Sequence, residues 1–114
     1  MSIAGRVAAA AVVAMAALQL AWHGWLAPAA GGAHWAVAAF FLLPLLPALV
    51  LLPARHRRAP FWGALAALLY FCHGVMVAWA APEQRALGVA EAMLSAVLIV
   101  AASWDGLRRR FPRL

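Results

Sequence analysis

Residues 55–85 read RHRRAPFWGALAALLYFCHGVMVAWAAPEQR and contain one complete unit of a pattern that recurs along the chain. A long apolar run, 61–81, lies between the arginine-rich segment 55–58 and a turn that carries Glu83 and Arg85. The hydrocarbon core of a bilayer is about 30 Å thick, and a helix of about 20 predominantly apolar residues crosses it. The run therefore predicts a transmembrane helix with charged residues at both ends.

Similar apolar runs occur four times in the 114 residues. The predicted spans are residues 7–26, 35–52, 61–81 and 86–104. The connections between them are short, and short connections force consecutive helices to run in opposite directions. The sequence thus predicts an all-α membrane protein, in which four transmembrane helices form an antiparallel up-down bundle and residues 1–114 make a single domain.

The composition supports a membrane protein and argues against other classes. The chain is 68% hydrophobic and 11% charged, whereas a soluble domain of this length exposes more charge. Its net charge of +6 would also suit nucleic-acid binding, but the arginines flank the spans, where anionic lipids attract them. The predicted partner is the lipid bilayer, with another membrane protein or a second copy of the chain as further candidates, and no nucleic acid. Cys72 is the only cysteine, so no internal disulfide can form.

The arginines predict the orientation of the chain in the membrane. Short loops rich in arginine stay in the cytoplasm. Eight of the nine basic residues occupy the N-terminus, the second loop and the C-terminal tail; they are Arg6, Arg55, Arg57, Arg58, Arg108, Arg109, Arg110 and Arg113. Arg85 lies alone in the third loop. With abundant alanine and no lysine, which is typical of GC-rich bacterial genomes, this predicts a bacterial inner-membrane protein with both termini in the cytoplasm.

The first span has an alternative interpretation as a cleaved signal peptide, because Arg6 precedes an Ala/Val run. The run is long for a signal peptide, and Trp22 and Trp25 occupy positions typical of an interfacial aromatic belt. We therefore expect the first span to be retained. In the second span, Pro44 and Pro47 each lack a backbone donor and should bend the helix.

Small residues predict the faces on which the helices pack, because they allow close approach of helices in a membrane. At 100° per residue, the third span separates a face of small and polar residues from a bulky apolar face that suits lipid. The residues predicted to pack against other helices are Gly63, Ala67, Gly74 and Gly88.

A polar site is predicted near the outer surface. Glu91 is the only carboxylate within a span, and an ionisable group in the membrane marks a functional site by default. Gln19 lies six residues from Trp25, His73 six from Trp79 and Glu91 six from Arg85. Trp25, Trp79 and Arg85 are expected at the outer interface, so all three polar residues should lie about 9 Å below it. We expect Glu91 to hydrogen-bond His73 with Gln19 nearby, and Tyr70 and Ser95 to form a second, deeper layer. The plain alternative is a hydrogen bond that only locks helices together.

No motif for phosphate binding, nucleophilic catalysis or zinc binding occurs in the sequence. His23 and His73 could ligate a haem, but counting residues from the nearest tryptophans separates them by about 6 Å in depth. We therefore predict no cofactor and no metal.

Several short segments resemble those of a family of small bacterial inner-membrane proteins, domain of unknown function 2069. They are Trp22-His23-x-Trp25-Leu26-Ala27-Pro28, Tyr70-Phe71-x-His73-Gly74-Val75, Ala78-Trp79, Arg85-x-Leu87, Glu91 and Leu94-Ser95. The resemblance covers nearly the whole chain and implies four spans without an established activity. It departs from the family at Val77, where the family pattern has a glutamate four residues after the histidine. Any role of that acid would be missing here.

Three classes of function fit these observations. The favoured prediction is an accessory or interaction subunit of a membrane complex, because polar residues and loops are few. The alternative is a small oligomeric transporter or proton-coupled carrier that uses Glu91 and His73. The third is an intramembrane enzyme or a lipid- or quinone-binding module. Catalysis needs more convergent polar groups than one chain supplies, so an enzyme is the less favoured interpretation.

Overall fold

The computed structural model describes residues 2–26 and 34–113, and every regular element in these two segments is helical. The α-helices are α1 (Ile3–Ala21), α2 (His34–Leu42), α3 (Leu46–Leu51), α4 (Ala59–Ala80) and α5 (Arg85–Arg110). A π-helical turn, Trp22–Leu26, continues α1, and 3-10 turns at Leu43–Leu45 and Pro82–Gln84 precede α3 and α5. The predicted all-α class is confirmed for the described residues.

Within the described residues, three helical segments are long and apolar enough to cross a membrane: Ile3–Trp25, Ala59–Ala80 and Pro82–Arg110. The predicted second span, 35–52, is instead a shorter helix, Trp35–Leu51, with a 3-10 turn around Pro44. Proline has no backbone N–H, and its ring collides with the carbonyl of the preceding turn, so α-helical geometry is interrupted there. From the sequence we predicted a bend at Pro44, but within one continuous span.

The outer bounds of two spans also differ from the prediction. Helix α1 begins at Ile3 rather than residue 7, because the Ser2 hydroxyl accepts a hydrogen bond from the Gly5 amide and caps the helix. Helix α5 continues past residue 104 to Arg110 and ends only where Phe111 precedes proline. Helical dihedral angles are unfavourable for a residue that precedes proline. Phe111 accordingly has φ −127° and ψ 82°. Arg108, Arg109 and Arg110 therefore belong to α5, whereas Arg113 follows it.

Helix α5 lies between α4 and α1 and contacts both along its length. Its closest contact with α4 is at two glycines. A Cβ atom added to Gly74 would lie 2.6 Å from the Gly88 carbonyl oxygen and 2.8 Å from the Ala92 amide nitrogen. A Cβ on Gly88 would likewise lie 2.6 Å from the Gly74 oxygen. The two backbones thus touch directly, as small residues permit in a membrane.

The two sides of α4 differ in exposure. Its buried residues are small or polar: Ala59, Gly63, Ala66, Ala67, Tyr70 and Gly74. Its exposed residues include Phe61, Leu65, Leu68, Phe71, Val75 and Trp79. Gly63, which was predicted to pack against other helices, lies close to two of them: an added Cβ would be nearest to Val12 of α1, at 3.1 Å, and then to Leu98 of α5, at 3.5 Å. Gly63 lies where several helices meet, which a helical wheel of one span cannot specify.

Substitution of Gly74 by alanine should destabilise the protein. The added methyl group cannot fit against the Gly88 backbone, so α4 and α5 must separate, at a cost of roughly 1–3 kcal/mol. Equilibrium unfolding in mixed detergent micelles measures the change. Gly106→Ala is the matched control, because a Cβ there meets only the flexible end of Arg109 at 4.0 Å. Equal stability of both variants would contradict the direct backbone contact.

Candidate functional site

Three polar side chains from three helices meet beside the glycine contact. Gln19 comes from α1, His73 from α4 and Glu91 from α5, and we call them the polar cluster. His73 directly precedes Gly74, and Glu91 follows Gly88 by almost one helical turn. A Cβ on Gly74 would lie 3.2 Å from the Cβ of Glu91. The close approach of α4 and α5 therefore places the carboxyl group next to the imidazole.

Both oxygens of the Glu91 carboxyl group have protein partners. Oε1 lies 2.6 Å from Nδ1 of His73, and Oε2 accepts a hydrogen bond from Nε2 of Gln19. Glu91 and Gln19 are 0% exposed, whereas the His73 side chain keeps 21% of its surface exposed. An ionisable group in a membrane needs such partners, because leaving it alone costs several kilocalories per mole. The structure thus brings together the three residues that the sequence placed at one depth.

The hydroxyl groups of Tyr70 and Ser95 both bond to backbone oxygens rather than to side chains of the polar cluster. The Tyr70 hydroxyl donates to the backbone oxygen of Phe41 at 2.5 Å, and the Ser95 hydroxyl donates to the backbone oxygen of Glu91 at 2.7 Å. The tyrosine faces the interrupted helix beside Pro44, where backbone groups lack their helical partners. Serine in a helix commonly bonds the carbonyl four residues earlier. Backbone oxygens therefore compete successfully for both hydroxyl groups.

His23 is a neighbour of the polar cluster that the prediction left out. Its ring stacks between those of Trp22 and Phe41, with centroids 5.0 and 4.0 Å away. The His23 and His73 ring centroids are 6.2 Å apart. Counting residues along the helices separated the two histidines in depth, but their side chains converge around Phe41. The sequence periodicity did indicate a position for His23, because Gln19, Trp22 and His23 fall on one face of the first predicted span.

The arginines used to predict topology lie at two ends of the helices. The Ser2 hydroxyl donates to the Asp105 carboxylate, which joins the start of α1 to the last turns of α5. Ser2, Asp105, Arg55 and Arg57 line one cleft of about 320 Å³. The N-terminus, the 55–58 segment and the arginine-rich end of α5 therefore share one end. Arg85 begins α5 at the other end, where its Nε donates to the Ala78 oxygen.

The sequence of the chain matches a family described as "Predicted membrane protein (DUF2069)" over residues 7–106. The chain belongs to this family. The resemblance seen in the short segments around His23, His73 and Glu91 is thereby confirmed, and the family description agrees with the three long apolar helices. No curated protein and no solved structure is similar enough to the chain to count as a match.

Substitutions in the polar cluster should be energetically coupled. In a double-mutant cycle of His73→Phe and Glu91→Gln, we expect the two destabilisations to differ from additivity by roughly 0.5–2 kcal/mol. The reason is that His73→Phe removes one partner of the contact, whereas Glu91→Gln replaces the carboxyl group of the other with an amide. Unfolding free energies of the four proteins in mixed micelles measure this coupling.

The control cycle pairs Glu91→Gln with Phe61→Leu. Phe61 is exposed and lies twelve residues before His73, about 18 Å along α4. Its effect should add to that of Glu91→Gln within about 0.5 kcal/mol. Additive behaviour of His73→Phe as well would mean that the His73–Glu91 contact contributes nothing.

Proposed function

We propose that the chain is a bacterial inner-membrane protein with four spans in an antiparallel up-down bundle and both termini in the cytoplasm. Its function is that of an accessory or interaction subunit of a membrane complex. In this arrangement the interrupted segment Trp35–Leu51 is the second span. It lies beside α4, where Phe41 meets Tyr70 near one end and Ala48 lies close to Gly63 near the other.

The environment of Glu91 is the observation that carries the accessory role. The carboxyl group has no exposed surface, and internal hydrogen bonds occupy both of its oxygens. A carrier needs a coupling carboxylate that substrate or protons can reach from each side of the membrane, whereas an accessory protein needs a rigid surface. Large apolar side chains make up much of the outer surface of α4, including Leu65, Leu68 and Trp79. Such a surface suits packing against lipid or another membrane protein.

The carrier remains the second candidate because Glu91 and His73 form an ionisable pair within the spans. The two candidates differ in what Glu91→Gln should do. A proton-coupled carrier loses flux in proteoliposomes when the carboxyl group is replaced. An accessory subunit keeps its partner, since Glu91 lies inside the helix bundle and not on its outer surface.

The topology can be tested with fusions to the C-terminus. Because three arginines end α5 and three more occupy the 55–58 segment, we expect a C-terminal green fluorescent protein to fluoresce and a C-terminal alkaline phosphatase to be inactive. Moving the fusion point to the loop that contains Glu83 should reverse both results. An active phosphatase at the C-terminus would overturn the proposed orientation.

The accessory role predicts that the tagged chain, extracted in mild detergent, elutes in an assembly larger than a single chain. Quantitative mass spectrometry should then find one membrane protein at a fixed ratio to the chain in repeated preparations. Glu91→Gln should preserve that ratio wherever the variant remains folded. Elution as a single chain, together with flux that Glu91→Gln abolishes, would replace the accessory role with the carrier.

A further inference from the structure

A groove runs along the outside of the helices between α4 and the interrupted second helix. It consists of two adjoining hollows of about 220 and 150 Å³, which share Leu43, Pro44 and Leu69. Leu43 and Leu69 are 54% and 61% exposed, so the groove opens to the outer surface. In a membrane protein that surface faces the bilayer. We call these two hollows together the lateral groove.

The lateral groove ends at a histidine of the polar cluster. His73 and Tyr70 are the polar residues of the larger hollow, and Phe40 and Phe41 are its aromatic walls. The Tyr70 hydroxyl is already used by the Phe41 carbonyl. Nδ1 of His73 is hydrogen-bonded to Glu91. Nε2 is therefore the nitrogen that a molecule in the groove can bond. The groove thus combines a long apolar path with one hydrogen-bonding atom at its end.

We propose that the lateral groove binds an isoprenoid quinone. The ring would lie in the larger hollow against Phe40 and Phe41, with one ring oxygen at Nε2 of His73. The tail would follow the smaller hollow, whose walls include Pro47 and Leu65. Offset contacts between aromatic rings stabilise such an arrangement beyond the area that they bury. This site is independent of whether the chain is an accessory subunit.

The contact between His73 and Glu91 suits both redox forms of a quinone. When Glu91 holds the shared proton, neutral His73 carries its proton on Nε2 and donates to the carbonyl of the oxidised ring. When His73 donates from Nδ1 to the carboxylate, Nε2 becomes an acceptor for the hydroxyl of the reduced ring. The two states differ by one proton overall, the one on Nε2, so the pair held by the 2.6 Å contact can present either a donor or an acceptor to the ring according to its protonation state.

A lipid acyl chain would satisfy the same groove less well. It fills the hollows but leaves Nε2 of His73 facing hydrocarbon without a partner, and an unpaired polar group costs free energy there. A phospholipid headgroup does not fit, because the polar cluster lies inside the span, six residues from Trp79 and thus about 9 Å along α4. A flat ring that carries an oxygen at its edge and an apolar tail matches both ends of the groove.

The test compares two probes with the same tail, decylubiquinone and decylbenzene, on the purified full chain in nanodiscs. The second probe has a ring without oxygens. We expect saturable retention of about one decylubiquinone per chain, and much weaker retention of decylbenzene, measured by extraction and chromatography. His73→Phe keeps a ring but removes both nitrogens, and should weaken decylubiquinone binding about tenfold, as for the loss of one hydrogen bond.

Two further variants separate binding from folding. Leu69→Trp fills the groove while it leaves all three residues of the polar cluster unchanged, and it should abolish retention of decylubiquinone. Cys72→Ala, at an exposed residue that does not line either hollow, should leave binding unchanged. Equal retention of the two probes would mean that the groove takes only apolar chains and would overturn the proposal. If His73→Phe does not fold, the Leu69→Trp variant decides the question. Undiminished quinone binding by that variant would overturn the proposal.

Discussion

The direct backbone contact between Gly74 and Gly88 is the constraint on which the rest of the structure depends. Water does not drive helices together inside a bilayer, so close packing and hydrogen bonds must do so. This contact brings α4 and α5 near enough for His73 and Glu91 to bond. Once Glu91 is fixed, its second oxygen gives Gln19 of α1 a partner. One close approach thus organises three helices.

The polar cluster is weak evidence of a purely stabilising role. Replacing a buried polar or charged pair with apolar residues of similar volume is often neutral or stabilising. The cluster is also asymmetric. Glu91 and Gln19 are fully buried, while His73 reaches the surface in the lateral groove. A buried carboxyl group that orients an accessible imidazole is the arrangement by which proteins set which histidine nitrogen carries the proton.

Much of this cluster could be predicted from the sequence, because periodicity and depth are nearly independent of the neighbouring helices. A count of six residues from the interfacial residue expected on each helix placed Gln19, His73 and Glu91 at one level, and the 100° rule placed them on inward faces. The partners of Tyr70 could not be predicted in this way. They depend on where the interrupted helix lies in three dimensions, and a helical wheel identifies a face without identifying its neighbour. The same limit hid His23, whose ring lies near that of His73 and shares Phe41 with it as a neighbour.

Pro44 links the fold to the groove. A straight second helix would lie against α4 along its length and satisfy its own backbone groups. The 3-10 turn at Leu43–Leu45 breaks that regularity, and the Tyr70 hydroxyl bonds a carbonyl beside the break. Pro44 also lines both hollows of the lateral groove. The interruption at Pro44 therefore lies beside both the Tyr70 hydrogen bond and the hollow that reaches His73.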